Sequence, residues 1–186
     1  RLEASRKLLL NRRDTRTKPL LDDKILLSWN ALLVTACCKI YAALGNDNYK
    51  KMAVRCMDFI WQHLQKDGIF YHTYKNGAAR HPAFLDDYAY LIQALIHLQE
   101  ITADAAYLHK ARNLTQFVID HYSEPETGFF FFTKKNKKDV IVRKKEVYDG
   151  ATPSGNAIMA LNLFYLAIVF DESSWRKRAV EMVQSL

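Results

Sequence analysis

Apolar positions recur at helical spacing along most of the chain. Residues 1–12 read as the end of a basic helix that precedes the main pattern. Residues 25–44 form a long, almost wholly apolar segment that stops at Gly45. Residues 48–64 are amphipathic, with Tyr49, Met52, Ala53, Cys56, Ile60 and Leu64 on one stripe. Asp67-Gly68 turns the chain into a short strand over 69–74, and Asn76-Gly77 signals a tight turn. The same order then returns. Residues 87–101 are apolar nearly all round, and 104–122 are amphipathic through Tyr107, Ala111, Leu114 and Val118. Gly128 leads into a second short strand over 129–133, which 140–145 is expected to pair with across the basic loop 134–139. A third cycle holds the apolar 157–170, whose one polar residue is Asn162, and the amphipathic 174–186.

This order is an internal repeat. The expected inner-helix starts Asp23, Asp87 and Asn156 lie 64 and 69 residues apart, and the turn glycines Gly68 and Gly128 lie 60 apart. A helix that is apolar all round needs cover on several sides, whereas its amphipathic partner covers one side and faces water on the other. Successive hairpins of this kind stack into a curved double layer with the apolar helices inside. The fold class expected is therefore all-α: αα-hairpins of a partial (α/α)6 toroid, with short β excursions between hairpins. Three hairpins are expected, at 22–78, 86–146 and 154–186. Three do not close a ring, so the chain is expected to be a piece of a longer protein, or to self-associate through uncovered hairpin faces.

Composition narrows the class. The 186 residues include 49% hydrophobic and 25% charged, with only six Gly and four Pro, which excludes collagenous and low-complexity chains. No run of eighteen uncharged apolar residues occurs, so no membrane partner is expected. The net charge of +7 is uneven: 1–18 and 134–146 each hold seven basic and two acidic residues. No nucleic-acid reading module accompanies these patches, so they read as a solvated helix and loop, and nucleic-acid binding ranks last. Cys37, Cys38 and Cys56 are odd in number and lie within helical patterns. They fit buried thiols in a reducing compartment, which makes a cytoplasmic location the expectation. The first residue, Arg1, is not Met, and no signal peptide follows it.

Polar residues gather just before the inner helices. The clusters are Asp22-Asp23-Lys24 with Ser28-Trp29-Asn30, then Arg80-His81 with Asp86-Asp87-Tyr88, then Tyr148-Asp149 with Thr152-Pro153-Ser154-Gly155-Asn156. Asp, Ser and Asn are also the preferred N-cap residues, so caps are one reading of Asp87, Ser154 and Asn156. Paired carboxylates at 22–23 and 86–87 exceed what capping needs, and they point to acid–base chemistry. In that reading Asp86 or Asp87 is one catalytic carboxyl and Asp149 the second, as glycoside hydrolysis requires. An epimerase would use His72 or His81 as the proton-transfer group, because C–H abstraction favours a base poised near neutrality. Trp29, Tyr88 and Tyr148 would stack on a sugar, with Asp23, Asn30, Arg80 and Asn156 binding hydroxyls; Trp29 also reads as core, and Asn30 as a loop tie. No histidine pair has zinc-site spacing, and there is no phosphate-binding loop, nucleophile elbow or C-x-x-C, so neither metal nor cofactor is expected.

Three runs carry a family resemblance. Residues 18–32 (KPLLDDKILLSWNAL), 83–92 (AFLDDYAYLI) and 149–156 (DGATPSGN) resemble the signature of the YyaL / spermatogenesis-associated protein 20 family. The resemblance implies a six-hairpin, glycosidase-like (α/α)6 toroid preceded by a thioredoxin-like domain. Of these the chain would hold part of the toroid, leaving the thioredoxin-like domain and remaining hairpins as partners. By likeness to N-acylglucosamine 2-epimerase, cellobiose epimerase and glucuronyl hydrolase toroids, the mouth would bind or process a saccharide. The alternative is a non-catalytic platform serving the thioredoxin-like domain.

Overall fold

A computed structural model describes residues 1–135 and 141–185. Its elements are α1 (Leu2–Asp14), β1 (Ile25–Leu26), α2 (Leu27–Leu44), α3 (Asp47–His63), β2 (Gln65–Lys66), β3 (Ile69–Lys75), β4 (Ala78–Pro82), α4 (Leu85–Thr102), α5 (Ala105–Tyr122), α6 (Gly155–Phe170) and α7 (Ser173–Gln184). Helices α2/α3, α4/α5 and α6/α7 are three αα-hairpins. The inner helices α2, α4 and α6 pack side by side, and each outer helix covers its own inner one.

The turn between inner and outer helix has the same chemistry in each hairpin. Each inner helix ends on a residue in the left-handed region: Gly45 at φ 66, Ala103 at φ 59 and Asp171 at φ 55. The next residue is the N-cap of the outer helix. Asn46 and Asp104 fill that role with their side chains, which accept the N–H of Asn48 and of Ala106. A two-residue joint holds the helices antiparallel and close.

The core is continuous through all three hairpins, and α4 lies at its centre. Tyr88, Ala89, Leu91, Ile92, Ala94, Leu95 and Leu98 are at most 1% exposed. Removing a large apolar side chain such as Leu91 or Ile92 from water contributes about 1.5–3 kcal/mol. Helix α2 is, by length and a mean hydropathy of 1.4, the one helix among the described residues long and apolar enough to cross a membrane. It packs on α3 and α4, which bury 39% of it.

The β excursion after α3 is a small antiparallel sheet. Strand β3 pairs with β1 (Ile25↔Tyr74), with β2 (Gln65↔Phe70) and with β4 (Thr73↔Arg80). Asn76 and Gly77 both take positive φ, 52 and 75, the backbone of a two-residue hairpin turn whose twist suits the flanking strands.

Two expected elements differ. Residues 25–26 were expected to open the first inner helix, but they form β1, because the open edge of β3 offers their backbone a ladder. Residues 129–133 were expected to be a strand; they make only the isolated bridge Ser123↔Phe130. Their expected partner segment forms no strand over 141–145, and Phe132 N–H donates to Lys144 O at 2.8 Å as a single bond. The expected pairing at Val140, the loop positions 136–139 and Leu186 at the chain end lie outside the described residues.

Candidate functional site

The starts of the three inner helices meet at one end of the array. The residue that ties the first two together is Asp87. It sits in the first turn of α4, is 0% exposed, and is held by three donors. Oδ1 takes the Ser28 N–H at the start of α2 (3.0 Å), and Oδ2 takes the Phe84 N–H at the start of α4 (2.9 Å). Both oxygens face Nδ1 of His72 on β3, at 3.0 and 2.8 Å. Helix α2 has Leu26 at its N-cap with no side-chain cap of its own. A carboxylate 59 residues away in sequence supplies the missing acceptor and meets the positive end of the helix dipole.

The hydrogen bond to Asp87 holds the His72 imidazole above its ordinary value, against the pull of partial burial. With Nδ1 committed to Asp87, Nε2 is the nitrogen left for chemistry. His72 lines a cleft of about 540 Å³ together with Asp22, Lys24, Leu26, Trp29, Thr73, His81 and Phe84. Trp29 is 66% exposed in the first turn of α2. His81 is an exposed residue at φ 59, a left-handed backbone that costs roughly 1–2 kcal/mol in a non-glycine residue.

Asp86 lies beside this pair and joins α4 to α6. Burial comes first among the causes that push its carboxyl up to about 6; Glu146 and Asp87 add to the effect, and the Gly155 backbone N–H opposes it. A Cβ at Gly155 would land on Asp86 Oδ1 and come within 3.1 Å of Leu85 Cγ. Glycine at the first position of α6 is thus what lets the carboxylate reach that helix start. Tyr90, one turn along α4, donates its hydroxyl to Pro153 O and is pushed up by burial and by both Asp86 and Asp149.

The expected site residues therefore divide. His72, His81 and Trp29 share the cleft, with Asp86 close enough to His72 to act on it electrostatically. Asp87 is a correction: fully buried and held by its donors, it orients His72 and does not line the cleft. Tyr88 is another. It is 1% exposed, packed against Phe70 and Tyr122, so it forms no stacking wall. Asn156, 1% exposed, accepts from Phe130 N–H and donates to Phe130 O and Glu146 O, and so fastens a loop to α6. Asp149 accepts the Ser154 N–H at 2.8 Å and stays exposed. Asp23 pairs with Lys75 at 2.5 Å, which holds its carboxyl below the usual range. Asn30 donates to Leu26 O and faces the Cys56 thiol, a tie between α2 and α3. Arg80 and Tyr148 are exposed, Tyr148 at 87%. Sequence reasoning missed Gly155 and Glu146 as the neighbours that shape Asp86; the one signal was a glycine between Ser154 and Asn156. Among the described residues no cluster of His, Cys, Asp and Glu could hold a metal ion.

Three stacked αα-hairpins with converging inner-helix starts define part of an (α/α)6 toroid, the architecture of six-hairpin glycosidases and epimerases. Solved structures agree in fold. A GH76 α-mannanase of Bacteroides thetaiotaomicron superposes with a TM-score of 0.72 at 16% identity, over 91% of this chain and 46% of its own. Cellobiose 2-epimerase of Spirochaeta thermophila gives 0.69 at 13%, over 87% and 42%. A GH76 α-1,6-mannanase of Salegentibacter, an inactive variant with two adjacent aspartates replaced by asparagine and bound to α-1,6-mannotriose, gives 0.68 at 15%, over 87% and 46%. In sequence, the chain is similar to the family its three motifs indicated. Human spermatogenesis-associated protein 20 is 28% identical over 183 residues, 92% of this chain and 23% of that protein. An uncharacterised protein of Caenorhabditis elegans is 33% identical over 186 residues, 96% of this chain and 25% of that one. The chain thus spans about a quarter of the length of the curated relatives it matches. No protein-family model matches it.

Proposed function

We propose that the end where the inner helices start is one side of a saccharide-binding cleft, and that His72 is its proton-transfer group. The observation that carries this is the His72–Asp87 pair. A buried carboxylate fixes the Nδ1 proton and the ring orientation, and the imidazole lines an open cleft beside the exposed indole of Trp29. An aromatic face next to polar groups suits the alternating apolar and hydroxyl faces of a pyranose. A histidine whose other nitrogen is held by a carboxylate can take a proton from carbon or oxygen and return it, the step that epimerisation or isomerisation of a sugar needs. The epimerase relatives in fold support this reading.

A second reading rests on Asp86. A carboxyl pushed up to about 6 suits a general acid in glycoside hydrolysis. A mannanase of similar fold whose inactive variant has two adjacent aspartates replaced supports looking to the Asp86-Asp87 pair for such a role. The burial of Asp87 then leaves Asp86 as the reacting group and Asp149 as the exposed second carboxylate. Outside catalysis, the same cleft would serve as a binding platform beside a thioredoxin-like domain in a longer protein.

Titration of the chain with mannose, cellobiose and N-acetylglucosamine, followed by NMR of the Trp29 indole and His72 ring protons, tests the cleft. Saturable shifts in both, lost in Trp29→Ala, are expected at millimolar sugar. Sugars that leave both groups unmoved refute saccharide binding. Hydrogen–deuterium exchange at a bound sugar's C2, lost in His72→Gln but kept in Asp86→Asn, separates the epimerase reading from the hydrolase one.

A further inference from the structure

Two cations meet in the cleft. Lys24, just before β1, and His72, on β3, line it together. The hydrogen bond to Asp87 raises the His72 titration, while partial burial and then Lys24 lower it, so the ammonium lies near enough to repel the charged ring. Asp87 and, more weakly, Asp86 favour that charge from α4. Asp87 is 0% exposed and meets Nδ1, which leaves the Nε2 side of the ring to the cleft. The remaining neighbours do little to answer the two charges. Asp22, on the cleft wall, stands 3.4 Å from Lys24 with its side chain 69% exposed, and an ion pair so open to water is weak. Asp23 is engaged by Lys75. Asp86, pushed up to about 6 by burial first and then by Glu146 and Asp87, is mostly neutral below that value. His81 lines the same wall and adds no negative charge. Two positive groups brought together in a partly desolvated cleft are a cost that a bound anion relieves.

We infer that the sugar this cleft takes is a hexuronate, whose carboxylate lies between Lys24 Nζ and His72 Nε2 while the indole of Trp29 covers its ring. The inference rests on the saccharide reading above and names the class of sugar. A neutral pyranose would leave both charges unanswered. A carboxylate fits better than a phosphate ester because of the donors. Phosphate draws on backbone N–H groups at a helix start and on guanidinium forks. Here the Ser28 N–H of α2 is already taken by Asp87, and the described lining offers an ammonium and imidazoles but no guanidinium. One ammonium and one imidazolium N–H match the two oxygens of a single carboxylate. Trp29 is 66% exposed, so its face is open to a ring, and about 540 Å³ lies within the range of small-molecule sites. The rim favours the same ligand. Phe84, on the cleft wall, stacks on Phe132 at 4.8 Å, and Phe132 N–H donates to Lys144 O. Exposed Lys144 is thereby tethered to that wall and adds to the positive potential an arriving anion meets.

Titration of the chain with D-galacturonate and D-galactose, which differ only in the carboxylate, tests the inference. At low salt and slightly acidic pH, the Trp29 indole and His72 ring signals are expected to report binding of the uronate about tenfold tighter than of the neutral sugar. That ratio is expected to shrink as salt is added. Lys24→Gln is expected to bring it below about threefold, and Lys24→Arg to keep it. Saturating galacturonate is expected to move the His72 titration midpoint upward, because an anion at Nε2 favours the charged ring, whereas galactose leaves it in place. Galactose 6-phosphate is the second arm: binding tighter than that of the uronate assigns the anion to a phosphate ester and overturns the inference. Equal binding of galactose and galacturonate, or a ratio that Lys24→Gln leaves unchanged, overturns it while the saccharide cleft stands. Failure of both sugars to bind overturns the inference and the saccharide reading together.

Discussion

Replacing Asp86 with asparagine should make the protein more stable at neutral pH and leave its stability unchanged in acid. The carboxyl titrates at about 6 in the folded chain, against an ordinary value of 3.8. A folded-state value above the unfolded one means that folding favours the protonated form. The group's contribution is therefore fully present below 3.8 and is lost as pH rises through about 6. The displacement is about two units, and at 1.36 kcal/mol per unit its ceiling is ~3 kcal/mol. Part of the side chain reaches solvent, and screening there lowers the figure to about 1–2 kcal/mol. Asparagine has nearly the same shape, still accepts the Gly155 N–H, and carries no charge beside Glu146. Urea unfolding of wild type and Asp86→Asn at pH 7.5 and at pH 3.5 is the assay. The variant should gain about 1–2 kcal/mol at the higher pH, or ~3–6 °C in thermal midpoint for a chain of this size, and nothing at the lower. A variant less stable at pH 7.5, or a gain that persists unchanged in acid, would refute the assignment of Asp86 as a desolvated, repelled carboxyl.

Two further predictions concern residues that carry the architecture. Asp87→Ala removes the acceptor of the buried Ser28 N–H and frees His72, so it should cost on the order of 3–5 kcal/mol in urea unfolding; a cost below about 1 kcal/mol would mean the carboxylate is not the hub described. The same variant should lower the His72 titration midpoint in NMR. It should also remove the part of wild-type stability that is present below 6.5 and fades as pH rises through the raised folded value. Ala103→Gly relieves a left-handed alanine worth roughly 1–2 kcal/mol while loosening the unfolded chain by about 0.4–1 kcal/mol, so a thermal melt should show a small net gain; a loss would show that the Ala103 methyl packs usefully.

The hairpins were legible because their signal is local and repeated. An all-round apolar helix next to an amphipathic one needs one packing solution, and Gly45, Asn46 and Asp104 mark the joints in the sequence. Asn76-Gly77 was legible for the same reason, since two positive-φ residues define the turn by themselves. The site was legible only as a region. Asp22-Asp23 and Asp86-Asp87 look alike as letters, yet the first pair lies exposed before β1 while the second opens a buried helix. What separates Asp86 from Asp87 is a set of partners 15 to 69 residues away: His72, Ser28 and Gly155. One oxygen pair joins two helix starts and a histidine; its neighbour meets a glycine on a third helix. No periodicity encodes that division, because it depends on how tightly three helix ends are brought together. Tyr88 and Asn156 are buried for the same cause: close approach of the helix starts covers whatever stands behind the first turn. At this end His72 and Trp29 line the cleft with Asp86 beside them, and the buried residues of the same motifs bring the helix starts together.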